Sequence, residues 1–139
     1  MKVKKLHSLA KIPTRAHSGD AGLDLYSITK EIISPGETKL IPTGIALEIP
    51  FGYVGLIWFR SGLSSKYSLK VAGGVIDASY RGEIVVILIN LGKGAIAIEQ
   101  GQKIAQLLIQ KVELVDIEEV ESLDSTDRGE KGFGSTDHL

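Results

Sequence analysis

Cysteine is absent from this chain of 139 residues, which removes disulfides, thiolate nucleophiles and cysteine metal sites together. Histidine is scarce: His7, His17 and His138 all lie near a terminus, and none belongs to an HExxH pair. No G-x-S-x-G elbow occurs either. A hydrolase built on this chain would therefore use water activated by a carboxylate, and any metal would be Mg²⁺ held mainly by substrate phosphates. No apolar run approaches the roughly 18 residues that a membrane-spanning helix requires. Met1-Lys2-Val3-Lys4-Lys5 is not followed by the unbroken apolar stretch of a secretory signal. An excess of one charge is missing as well: 16 basic residues against 17 acidic ones leave a net charge of -1. No broad cationic face is implied, so binding to nucleic acid or to a membrane is not expected. The expectation is a soluble intracellular, cytoplasmic protein that holds any anionic ligand with a few placed groups.

What is present is a set of short apolar runs. Hydrophobic residues make up 43% of the chain, enough for a core in one domain of ordinary size. The runs are Ile32-Ile33, Leu40-Ile41, Ile45 to Ile49, Tyr53 to Phe59, Ile84 to Ile89, Ala95 to Ile98 and Ile104 to Ile109. Turn signals such as Ser34-Pro35-Gly36, Pro50-Phe51-Gly52, Gly73-Gly74 and Gln100-Gly101 separate them. Short strands at this spacing predict an all-β sandwich, jelly roll or barrel. Ile84 to Ile89 does not alternate and reads as a strand buried on both faces, a hint of oligomerisation. Ser61 to Tyr67 lacks β-branched residues and predicts a short helix capped by Ser61. The pattern stops after Val120, which divides the chain into a β domain over 1–120 and a mobile polar tail over 121–139.

Two segments place arginine beside glycine and hydroxyl residues: Arg60-Ser61-Gly62, and Arg128-Gly129-Glu130-Lys131-Gly132-Phe133-Gly134-Ser135-Thr136. Glycine lets successive N–H groups turn towards one anion, hydroxyls add donors, and arginine gives a bidentate fork. Together they resemble a polyphosphate cradle; separately each also reads as a solvated tail or a helix cap. A Walker A loop is excluded, because Gly134 is followed by Ser135 and not by lysine. Phe133 suits either stacking on a base or anchoring the tail to its own core.

Gly73 to Gly82 reads as a hairpin bounded by glycines, carrying Asp77 and Tyr80 three residues apart. Asp77 follows apolar residues, where partial burial would let its carboxylate accept a proton from water. An Asp beside a turn is also an ordinary turn residue.

Five segments, in order, resemble the motifs of homotrimeric dUTP pyrophosphatases. They are Ala21-Gly22-Leu23-Asp24-Leu25-Tyr26-Ser27, Arg60 to Ser64, Gly74 to Gly82, Gly101 to Leu107 and Arg128 to Thr136. The resemblance implies a jelly-roll or distorted β-barrel subunit, a homotrimer with an exchanged C-terminal tail, and active sites between subunits. It implies Mg²⁺-dependent hydrolysis of dUTP to dUMP and pyrophosphate, which keeps uracil out of DNA and supplies dUMP for thymidylate synthesis. By position, Asp77 would deprotonate the attacking water and Tyr80 would lie against the deoxyribose. Backbone groups at Gly74 and Ile76 would read uracil. Ser61, Gly62 and Gln106 would hold phosphates, with Arg60 pairing to Asp24. Arg128, Ser135 and Thr136 would reach the terminal phosphates, and Phe133 would cover the base. No protein group would bind the metal directly, Asp24 reaching it at most through water.

The chain departs from the family at Phe59, Ser79, Lys103 and Asp137, where proline, an acidic residue, arginine and glycine are usual. Asp137 puts a negative charge near a phosphate site. Two rival readings remain: a dCTP deaminase using Glu83 as its acid, though Glu83 is expected to face water, and a nucleotide-sensing trimer without catalysis.

Overall fold

The structure, a computed structural model, describes residues 1–130. Its elements in chain order are β1 (Lys2–Lys5), β2 (Leu23–Tyr26), β3 (Glu31–Ile33), β4 (Thr38–Glu48), β5 (Tyr53–Trp58), α1 (Ser61–Tyr67), β6 (Leu69–Ala72), β7 (Val75–Ile76), β8 (Glu83–Asn90), β9 (Ile96–Ile98) and β10 (Lys103–Lys111). Two antiparallel four-stranded sheets, β1-β4-β8-β6 and β2-β10-β5-β7, are joined by the β3-β9 ribbon. Leu25, Ile41, Ile84, Leu88, Ile104 and Leu107 are fully buried in one core. The all-β expectation holds, and the arrangement is that of a jelly roll.

Each predicted run became a strand because it has one face to bury, but the details differ in four places. Leu40-Ile41 and Ile45 to Glu48 belong to one long strand, β4, which ends one residue short of the predicted run and passes through Pro42-Thr43-Gly44 by slipping its register against β8 between Pro42 and Ala46. Proline is tolerated there because the ladder is already broken. Thr43 Oγ1 donates to the Ile84 carbonyl at 2.5 Å, and Gly44 adopts a φ of 69°.

The second difference is β8. In the single chain it is not buried on both faces: Ile84, Val86, Leu88 and Asn90 point into the core, while Val85, Ile87 and Ile89 are half-exposed. The third is α1. Its bounds match the expectation, but Arg60 occupies the N-cap position without a side-chain capping bond, and Ser61 already lies inside the helix. The chain stays extended up to Arg60, whose carbonyl accepts the Leu63 and Ser64 amides at 3.0 Å each.

Fourth, Gly73 to Gly82 is not a hairpin closed on itself. β7 pairs outward with Gly55 and Leu56 of β5, whereas β6 and β8 pair with each other in the opposite sheet. The segment is an arch that crosses between sheets. Gly73 and Gly74, with φ of 69° and 125°, make the crossing possible.

After Lys111 no helix or strand occurs among the described residues, and residues 113–130 are exposed.

Candidate active site

A cleft of about 630 Å³ opens beside β10, lined by Ala16, Asp20 to Gly22, Asp24, Arg60 to Leu63, Gln106 and Leu108. Register explains the grouping. Asp24 on β2 lies directly across from Gln106 on β10, and Gln106 lies across from Trp58 on β5. Directly opposed residues in an antiparallel pair share a face. β5 then delivers Arg60 to the rim.

Asp24 is the electrostatic centre of this wall. Its side chain is only 10% exposed, with Arg60 Nε at 3.2 Å from Oδ1 and Lys103 Nζ at 2.6 Å from Oδ2. A carboxylate this enclosed needs such compensation. Gln106 steadies the Arg60 turn, its Nε2 donating to the Phe59 carbonyl at 3.0 Å. Gly22 leaves space for that amide, since a Cβ on Gly22 would meet Gln106 Oε1. Gly62 opens towards solvent, with nothing within 4 Å of where its Cβ would be.

A second, separate cleft of about 380 Å³ is lined by Phe51 to Val54, Asp77, Ala78, Ser79, Val112 and Leu114. No residue lines both clefts. Asp77 is exposed in the single chain, not partly buried as its apolar neighbours suggested. It leaves β7 at the sheet edge and opens a turn closed by the Tyr80 amide donating to its carbonyl at 3.1 Å. Arg81 Nη1 ties this turn down by donating to the Ala78 and Tyr80 carbonyls at 2.7 and 2.8 Å. The turn role and an open carboxylate therefore coexist in one residue.

Tyr80 Oη donates to the Glu83 carbonyl at 3.1 Å, and a Cβ on Gly82 would collide with the Tyr80 ring. Gly74 presses on β5: its carbonyl accepts the Ile57 amide at 2.8 Å, and a Cβ there would lie 2.7 Å from the Ile57 oxygen. Glu83 does not face water freely. Its Oε1 accepts the Gly44 amide at 2.7 Å, because the β4 bulge leaves that donor without a ladder partner. Ile76 pairs with Gly55.

The structure thus unites Asp24, Arg60, Ser61, Gly62 and Gln106 around one cleft and places Asp77 on the other, while Gly74, Ile76 and Tyr80 are in neither lining. Arg128 sits in the exposed segment. Phe133, Ser135, Thr136 and Asp137 lie outside the described residues. Sequence reading missed Asp20 as a lining residue. Lys103 was noticed only as a departure from the family, not as a partner of Asp24. No local signal marks the role of Lys103, which depends on pairing between distant strands.

Comparison with known proteins decides the family. The dUTPase family model matches residues 8–137. A deoxyuridine 5'-triphosphate nucleotidohydrolase of Corynebacterium glutamicum is 52% identical over 139 residues, covering 98% of this chain and 93% of the relative. The chain belongs to the dUTPase family. The dUTPase of Staphylococcus bacteriophage 80alpha with dUpNHpp superposes with a TM-score of 0.93 at 35% identity, covering 99% of this chain and 98% of that one. A dUTPase from phage phi11 of S. aureus, described as coordinating a structural Mg(II) ion, gives a TM-score of 0.84 at 32% identity, covering 89% and 98%. Within this dUTPase frame the two clefts fall on segments that carry the family's motifs. No helix among the described residues is long and apolar enough to cross a membrane.

Proposed function

We propose that the chain hydrolyses dUTP to dUMP and pyrophosphate in the cytoplasm, at sites assembled from both clefts of different copies. The observation that carries the reading is the division of labour between the clefts. One is lined by Arg60, Ser61 and the open backbone at Gly62, and its buried carboxylate, Asp24, already faces the cations of Arg60 and Lys103. The other presents an open carboxylate, Asp77, at a sheet edge. A triphosphate fits the first, and a water-activating base fits the second.

In this mechanism the Asp77 carboxylate takes a proton from a water whose oxygen attacks the α-phosphorus. The bond from that phosphorus to the α,β-bridging oxygen breaks, and pyrophosphate leaves. General-base assistance of this kind contributes roughly 10²–10⁴ in rate. Arg60, Ser61, Gly62 and Gln106 hold the phosphates in line. Arg128, Ser135 and Thr136 reach the terminal phosphates from a tail over 121–139, and Phe133 covers the base. Tyr80, braced by Glu83 and Gly82, lies against the sugar and leaves no space for a 2′-hydroxyl. Backbone groups of the arch around Gly74 and Ile76, other than the Gly74 carbonyl already held by the Ile57 amide, read the uracil edge.

Mg²⁺ fits this site as an ion carried on phosphate oxygens. Among the described residues no three acidic or histidine groups converge, and both Asp24 oxygens face cations. When bound, Mg²⁺ would neutralise charge on the leaving pyrophosphate.

A trimer accounts for the separation of the clefts and for the open side of β8. There Val85, Ile87 and Ile89 align with Pro42, Leu40 and Thr38 of β4, and Leu40 is 66% exposed. The deaminase reading loses support, because Glu83 is engaged with the Gly44 amide. A sensor without catalysis is separated by one assay. Wild-type protein with Mg²⁺ should release pyrophosphate from dUTP far faster than from dTTP, dCTP or UTP, and EDTA should stop it. Asp77→Asn should lose most turnover and still bind dUpNHpp; near-normal turnover would remove Asp77 from the mechanism.

A further inference from the structure

Lys103 and Gln106 are three residues apart on β10, so in an uninterrupted strand their side chains would point to opposite faces. They do not. Lys103 pairs with Tyr26 and Gln106 with Asp24, and the register shifts between Lys103 and Ala105. Ile104 and Ala105 are consecutive and both buried, which marks a bulge that absorbs one residue. The bulge turns Lys103 onto the face of Asp24 and Gln106, where its ammonium meets Asp24 Oδ2 at 2.6 Å.

Arg60 has two ways to meet a carboxylate: through one nitrogen on one oxygen, or through a fork on both. With Lys103 on Oδ2, Arg60 keeps Nε on Oδ1 and the remainder of its guanidinium is left for the cleft. Without Lys103, a nearly buried carboxylate with one cation would draw the whole fork onto itself. Lys103 is not among the residues that line the cleft, although Asp24, Arg60 and Gln106 are.

We propose that Lys103 is a positioning residue. Delivered by the β10 bulge, it holds Oδ2 of Asp24 so that Arg60 stays presented to substrate phosphate. The inference rests on reading this cleft as the phosphate site. It concerns grip on the triphosphate and not the proton transfer at Asp77.

The test compares Lys103→Met, Lys103→Arg, Asp24→Asn and the Asp24→Asn/Lys103→Met double variant. Steady-state pyrophosphate release is measured together with dUpNHpp titrations followed by fluorescence of Trp58, the single tryptophan, which lies opposite Gln106. Losing a hydrogen bond between charged groups predicts a rise of roughly ten- to a hundredfold in KM and Kd for Lys103→Met. Its kcat should stay near wild type. Lys103→Arg should restore most of the affinity. In the Asp24→Asn background, Lys103→Met should change KM by less than about twofold, as for a residue acting only through its partner.

Unchanged affinity in Lys103→Met would overturn the proposal. So would a full-sized effect in the Asp24→Asn background, which would mean direct contact with phosphate. A loss of melting temperature that Lys103→Arg does not rescue would reduce Lys103 to a structural part. Should Lys103→Met not fold, Lys103→Gln carries the same comparison. If wild-type protein itself releases no pyrophosphate from dUTP, the reading of the cleft falls and this inference falls with it. Normal wild-type turnover with an indifferent Lys103 removes the inference alone.

Discussion

Gly22 has no side chain because the Gln106 amide fills the place one would take. A Cβ there would meet Gln106 Oε1, with Cδ at 3.1 Å and Cβ at 3.2 Å. Gln106 in turn holds the Phe59 carbonyl one residue before Arg60. A methyl on Gly22 should therefore act at a distance, pushing the amide off Phe59 and loosening the turn that presents Arg60 and Ser61. Gly22→Ala should lower kcat/KM for dUTP by roughly 10–100-fold, the scale on which small misplacements cost rate. Steady-state kinetics with a melting curve on the same sample would check it; wild-type kinetics would mean that Gln106 does not steady the site. The glycine was legible in the sequence as part of a motif. Its physical reason was not, because Gln106 lies 84 positions away and only the β2–β10 pairing brings it near.

Elements carry function here by breaking their own regularity. The β4 slip leaves the Gly44 amide to Glu83, and the β10 bulge aims Lys103. The β7 arch carries Asp77 from one sheet to the edge of the other. Among the described residues after Lys111 no strand or helix follows, and the Val112 amide donates to the Gly52 carbonyl at 2.9 Å. Deleting residues 128–139 should cost activity far more than thermal stability, because the strands that build the core end at Lys111. Turnover should fall sharply if Arg128 and the residues beyond it close over substrate. Calorimetry and pyrophosphate release on the truncated chain would check both halves, and an unaltered kcat would rule the closing role out. The longer strands were readable as apolar runs between turn signals, although the single buried face of β8 was not, its sequence being apolar at every position from Ile84 to Ile89. β1, β2, β6 and β7 were not, being two to four residues long and defined by their partners.

At the scale of the whole molecule, the two clefts share no lining residue, and in the reading proposed above one substrate is held between clefts of different copies. The half-exposed row Val85, Ile87 and Ile89, beside Leu40, gives copies a surface on which to combine. If Asp77 and Arg60 of one site come from different subunits, two dead variants should rescue each other. Asp77→Asn and Arg60→Ala, refolded together in equal amounts, should regain about a quarter of wild-type activity, the fraction of sites receiving both intact residues by random assembly. Each alone should stay inactive. A mixture as dead as its parents would place the entire site on one chain.

By itself the sequence determined the class, strands from short apolar runs between turn signals, and it supplied the candidates for the chemistry proposed above: Arg beside glycine and hydroxyls, and a carboxylate between glycines. These are local properties, set by periodicity and by what a side chain can donate or accept. The tertiary structure alone decided who stands beside whom. It set two cations on Asp24, put Glu83 on a backbone amide, and kept Asp77 apart from Arg60. Those outcomes depend on register, and one bulged residue reverses the face of every side chain beyond it.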